Sequence, residues 1–207
     1  MTYEVEPMQQ PVRKAVGRLP TPRQRLRQAE EMGRFVRKFA HESLKRTESD
    51  AFPVRKAVGR SARSGVDFAV VGGLAVILNG YPRLTLDADI LVQNSPDNLR
   101  KLLDYLKTWG DGAARELMIE DFNIDQGAIR ISEEFDLDVF VVMRGKSLND
   151  FRPNLRRFAS DEVQIAYLSP ADLIYLKEGS WREKDQLDVS AMKQIVAKEG
   201  SGHDRPD

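Results

Sequence analysis

Two Asp-x-Asp pairs carry the pattern in this chain most suited to chemistry: Asp87 with Asp89, and Asp136 with Asp138. Residues two apart on a strand point the same way, so each pair presents both carboxylates on one face. Carboxylates brought together repel unless a cation neutralises them, and hard divalent cations take oxygen ligands. Gly72-Gly73, directly after the apolar run Phe68–Val71, precedes Asp87 with thirteen residues between them. A Gly-Gly break between a strand and a helix leaves bare backbone N–H groups at a helix N-terminus, a site that attracts phosphate. A phosphate turn beside paired carboxylates suits one or two Mg²⁺ (or Mn²⁺) ions held against a nucleoside triphosphate.

The elements that position these groups are legible in outline. Phe68–Val71 reads as a buried strand, and Leu74, Ala75, Ile77 and Leu78 follow at helical spacing. Leu86, Ala88, Ile90 and Val92 alternate with Thr85, Asp87, Asp89 and Leu91, which predicts a strand with one apolar face. Ser95-Pro96 predicts the start of a helix carrying Leu99, Leu102, Leu103, Leu106 and Trp109. Residues 115–120 and 127–131 read as short strands, Phe135–Met143 as a strong one, Ser147–Phe158 as a helix and Glu162–Leu168 as a final strand. Ser169-Pro170-Ala171-Asp172 opens a helix to about Gly179, and another runs from Trp181 with Leu187, Ala191, Met192, Ile195 and Val196 on one face. Residues 1–20 read as loosely ordered, and Leu26, Ala29, Gly33, Val36, Phe39, Ala40 and Leu44 define an amphipathic helix at roughly 22–47. The expected fold is α/β (α+β), a minimal mixed sheet flanked by helices. It divides into a helical basic extension at 1–64, a catalytic domain at 65–198 and a disordered tail at 199–207.

Composition narrows the chemistry. The chain has 207 residues and no cysteine, so disulfides and thiolate metal sites are excluded. His41 and His203 are its two histidines, which argues against a Ser-His-Asp triad or a His-rich zinc site. No apolar run reaches membrane-spanning length and no signal-peptide pattern is seen, so no membrane partner and a cytoplasmic location are expected. The zero net charge conceals an asymmetry. Residues 1–64 hold 15 Lys/Arg against 7 Asp/Glu, a net of +8, and residues 65–207 a net of −8. The basic part suits nucleic acid, or electrostatic packing on an acidic domain. The string Pro-Val-Arg-Lys-Ala-Val-Gly-Arg occurs twice, at Pro11–Arg18 and Pro53–Arg60, with unrelated flanks.

The order Gly72-Gly73, thirteen residues, Asp87-Ala88-Asp89-Ile90 resembles the signature of the nucleotidyltransferase superfamily. The run Arg83-x-Thr85-x-Asp87-x-Asp89 looks like its AbiEii-like branch, which includes toxins of toxin–antitoxin systems. Lys177 followed by Arg182-Glu183-Lys184-Asp185-x-x-Asp188 resembles a later motif of that branch. The resemblance spans roughly residues 65–195. It implies that Asp87 and Asp89 ligate metal, and that a third carboxylate from another strand completes the catalytic set. Asp138 fits that place best because Val139-Phe140-Val141-Val142 follows it, and Asp136 is nearly its equal on geometry. The resemblance further implies that Gly72 and Gly73 cradle phosphate, that Lys177 contacts triphosphate, and that Lys184 and Asp185 shape the nucleotide pocket. Arg83 either holds a phosphate or pairs with Asp87, and Tyr81 and Trp181 are candidates for stacking a base. The implied activity moves a nucleoside monophosphate from an NTP to an acceptor hydroxyl. The acceptor stays open, with RNA or a tRNA end favoured, a protein hydroxyl or a small antibiotic as alternatives, and a cognate antitoxin as a candidate partner. A non-catalytic nucleotide-binding or antitoxin-like module, and a metal-dependent glycosyltransferase, are the alternatives.

Overall fold

The computed structural model describes residues 12–17, 65–85, 87–133, 135–160 and 163–201. The predicted helix at 22–47 and the second copy of the repeated string lie outside these residues. In chain order the elements are β1 (Val12–Gly17), β2 (Phe68–Val71), α1 (Gly72–Leu78), β3 (Asp87–Val92) and α2 (Pro96–Leu106). There follow β4 (Ala128–Ser132), β5 (Asp136–Phe140), α3 (Leu148–Phe151), β6 (Arg156–Ser160), β7 (Val163–Tyr167), α4 (Pro170–Lys177) and α5 (Glu183–Ser201). The strands form one mixed seven-stranded sheet in the order β1-β4-β5-β3-β2-β7-β6, and helices flank it.

The centre of the sheet is its most apolar part, because strands covered on both faces need apolar side chains on both. All four residues of β2 are buried, and so are Ile90, Leu91 and Val92 of β3. Leu99, Leu102, Leu103 and Leu106 line the buried side of α2. Its start is fixed as expected: the Ser95 side chain accepts from the Asn98 N–H, and Pro96 takes the first turn. Ser169 caps α4 in the same way, accepting from Asp172 N–H at 3.2 Å. Such a cap contributes about 1 kcal/mol.

Four expectations need correction. Residues 12–17 are a strand, not loose chain. β1 pairs parallel with the open edge of β4, Val16 is buried, and Lys14 Nζ meets Asp121 Oδ2 at 2.7 Å. Local sequence carries little of that signal; the free edge of β4 supplies the backbone partners. Residues 115–120 are not a strand. Two 3₁₀ turns, Ala113–Glu116 and Ile119–Phe122, take their place, and Asp121 accepts from Met118 N–H at 2.9 Å. The helix expected at Ser147–Phe158 stops at Phe151, because Pro153 has no N–H to continue it, and β6 then pairs antiparallel with β7. Finally, α5 continues to Ser201, past the expected start of the tail at 199, with Glu199 bonded to Arg156 at 2.7 Å.

Candidate active site

The register of three neighbouring strands assembles the site. β3 runs parallel to β5, with Asp87 opposite Asp136 and Asp89 opposite Asp138. β5 runs antiparallel to β4, with Asp138 opposite Arg130 and Asp136 opposite Ser132. Directly opposed residues share a face. One face of the sheet therefore carries the row Asp89, Asp138, Arg130 and the row Asp87, Asp136, Ser132.

Asp87, Asp89 and Asp138 each place one carboxylate oxygen so that the three lie within 4.8 Å of one another. Asp138 is buried and the other two are half-buried. Asp136 stands outside this group; its Oδ1 accepts from Ser132 Oγ at 2.7 Å. Burial, then the charges of Asp87 and Asp138, push the Asp89 carboxyl up to about 7, against the opposing effects of Lys177 and the Gly73 N–H. Burial also raises Asp138, although Arg130 counteracts it. Arg130 grips Asp138 with two bonds, Nε to Oδ1 at 2.8 Å and Nη2 to Oδ2 at 2.6 Å. The bond to Asp138 raises the guanidinium above its ordinary value. Thr85 Oγ1 donates to Asp87 Oδ1 at 2.7 Å and so orients the third acid.

The two glycines are required by close approach. Gly72 has φ +58°, and a Cβ there would collide with the Asp89 carboxylate. A Cβ on Gly73 would collide with the guanidinium of Arg83 and the hydroxyl of Thr85. The turn thus presents backbone, an arginine and a hydroxyl beside the acids.

A second charged group flanks the first. Lys177, at the end of α4, meets Asp185 Oδ1 at 2.6 Å and Asp188 Oδ2 at 2.9 Å. All three are buried. Gly179, with φ +84°, reverses the chain between the two helices, and Asp185 and Asp188 lie three apart on α5. Ser180 Oγ donates to Asp185 Oδ2 at 2.9 Å. Burial acts most strongly on Asp185, yet Lys177, Ser180 and Arg182 together hold its carboxyl below the usual range. Arg83 Nε lies 3.1 Å from Asp188 Oδ1, so Arg83 pairs with Asp188 and not with Asp87. Asp188 makes no aligned hydrogen bond among the described residues and is held by charge alone.

The remaining candidates divide. Lys184 is exposed. Tyr81 packs partly against the core, and Trp181 is 71 % exposed beside the start of α5. Arg130 was not a sequence candidate. Its signal was a lone charge in the apolar run Ala128–Ile131, a few residues before the Asp136-x-Asp138 pair.

A mixed sheet with carboxylates on adjacent inner strands, next to a strand–Gly-Gly–helix turn, is a nucleotidyltransferase-like α+β fold. The chain belongs to the family described as nucleotidyltransferase of unknown function (DUF6036), whose model matches residues 54–198. That span includes every strand except β1. No curated protein matches the chain. No helix among the described residues is long and apolar enough to cross a membrane.

Proposed function

We propose that this chain is a divalent-cation-dependent enzyme that transfers a nucleoside monophosphate from an NTP to an acceptor hydroxyl. The acceptor oxygen attacks the α-phosphorus, the bond to the β-phosphate oxygen breaks, and pyrophosphate leaves. The observation that carries this reading is the three carboxylate oxygens of Asp87, Asp89 and Asp138 within 4.8 Å of one another. A set of three hard oxygen donors fits Mg²⁺ or Mn²⁺ better than a softer metal. When bound, the cation would offset triphosphate charge and lower the pKa of the acceptor hydroxyl. Asp87 and Asp89 would hold it, and Asp138 would complete the set and take the acceptor proton. Gly72 and Gly73 let the phosphates approach the backbone, and Arg83, already packed against Gly73, offers them a cation. Lys177 acts through its charge on Asp89 rather than by direct contact, because both neighbouring acids already hold it.

RNA, including a tRNA end, is the proposed acceptor class. The net charge of +8 on residues 1–64 supports it. The run from Arg83 to Asp89 and the later Lys184-Asp185 motif, both similar to the AbiEii-like branch, support the further reading of a toxin with a cognate antitoxin. The test is to incubate the protein with each labelled NTP, Mg²⁺ and total cellular RNA or protein. Label transferred to RNA by the wild type and not by Asp89→Asn is the expected result. Label on protein alone would replace the acceptor, and no transfer to either would reject the activity.

A further inference from the structure

We propose that Arg130 is a displaceable counter-ion of the metal site, and that Asp136 is its alternative seat and not a metal ligand. The inference rests on the metal reading of Asp87, Asp89 and Asp138. Arg130 occupies both oxygens of Asp138, one of which belongs to the three-oxygen group. A divalent cation at that group and a bidentate guanidinium on the same carboxylate are two positive charges competing for one partner, in a half-buried place where repulsion is poorly screened. Asp136 is oriented to relieve the conflict. Ser132 fixes its Oδ1, and its Oδ2 faces the third guanidinium nitrogen, Nη1, at 3.9 Å. A movement of about 1 Å converts that approach into a charge-assisted hydrogen bond, whose usual length is about 2.8 Å. The planar fork of arginine can pivot between two carboxylates without leaving the sheet face, which a lysine point charge would do with less geometric control. The β4–β5 register sets this up, because it puts Arg130 opposite Asp138 and Ser132 opposite Asp136, one step along the same face.

In this arrangement the site is held together by Arg130 when no metal is bound, and the cation and the guanidinium exchange partners when it binds. Asp136 then matters to metal affinity only through Arg130. A direct ligand role for Asp136 predicts the opposite, a loss that does not depend on Arg130.

The experiment is a double-mutant cycle read by Mn²⁺ binding, with calorimetry or electron paramagnetic resonance on the full chain and no nucleotide. Thermal melts in chelator establish that each variant is folded. Arg130→Gln should bind Mn²⁺ about tenfold more tightly than wild type, and Arg130→Lys should fall between them. Asp136→Asn should weaken binding about tenfold in the wild-type background and much less in the Arg130→Gln background. An equal loss from Asp136→Asn in both backgrounds would overturn the exchange and make Asp136 a ligand. Unchanged affinity in Arg130→Gln would also overturn it. Absence of Mn²⁺ binding in wild type, with Asp89→Asn indistinguishable from it, would reject the metal reading itself. If Arg130→Gln does not fold, Arg130→Met, which also removes the charge, carries the same cycle with Asp136→Asn and the same two outcomes.

Discussion

Gly72 lies so close to the Asp89 carboxylate that a Cβ on it would collide with that group, so the glycine turn and the Asp-x-Asp strand are one device. β2 runs antiparallel to β3 with Val71 opposite Asp89, which delivers the first turn of α1 onto that acid. A substitution in either motif therefore acts on both.

Gly72→Ala should uncouple them. Positive φ costs an alanine about 1–2 kcal/mol, and its Cβ would displace Asp89. Mn²⁺ affinity and transfer should both fall at least about tenfold in the folded fraction, as a single distorted ligand implies. Gly73→Val should instead displace Arg83 and Thr85 and weaken NTP binding more than metal binding. Titrating metal and NTP separately distinguishes the two.

Asp89 should make the metal-free protein less stable as pH rises. Its carboxyl sits at about 7 in the folded chain against an ordinary 3.8, so the folded state binds that proton more tightly than the unfolded state. The resulting stability is full below about 4 and is lost as pH rises through about 7. Urea midpoints in chelator should fall between pH 5 and 8, and Asp89→Asn should flatten much of that slope. Metal binding needs the deprotonated acid, so apparent Mn²⁺ affinity should rise with pH and level off above about 7.

Neutralising an acid should separate stability from function. Asp89→Asn removes one of several like charges in a confined space, so it should raise the urea midpoint of the metal-free protein. It should also abolish Mn²⁺-induced stabilisation and transfer. A midpoint lower than wild type in chelator would mean that the carboxylate serves the fold.

Lys177→Met should be strongly destabilising, by about 3–5 kcal/mol, because it strands Asp185 and Asp188 without their shared cation. Adding Asp188→Asn should recover part of the loss. Lys184→Met is exposed and should change stability by no more than about 0.5 kcal/mol. A raised KM for NTP in that variant would assign Lys184 to the nucleotide, and an unchanged KM would leave it as a surface charge.

Residues 18–64 should govern acceptor affinity. Removing everything before Gly65 would also remove β1 and bare the edge of β4, so truncation confounds the question. Replacing Lys/Arg in 18–64 with Gln, with β1 kept, should leave NTP binding intact and weaken RNA binding. RNA affinity of the wild type should fall steeply with salt, and the variant should show a shallower slope. Equal slopes would remove RNA contact from the role of this segment.

The sequence by itself determined the parts whose cause is local. Alternation fixed the two Asp-x-Asp strands and their shared faces. Gly-Gly after an apolar run marked the turn into α1, and Ser-Pro marked the starts of α2 and α4. The order and spacing of those motifs were enough to indicate a nucleotidyltransferase. Tertiary structure decided whatever depends on which strands are neighbours. β3 beside β5 makes one site of two distant acid pairs, and the register admits Asp138 to the three-oxygen group while leaving Asp136 with Ser132. Lys177 has two acids as partners because α4 packs on α5, and Arg83 has Asp188 rather than the nearby Asp87. β1 exists as a strand because β4 has a free edge. Periodicity records the direction in which a side chain points; which group it meets is set by strand order and register, and these follow from burial of the whole sheet.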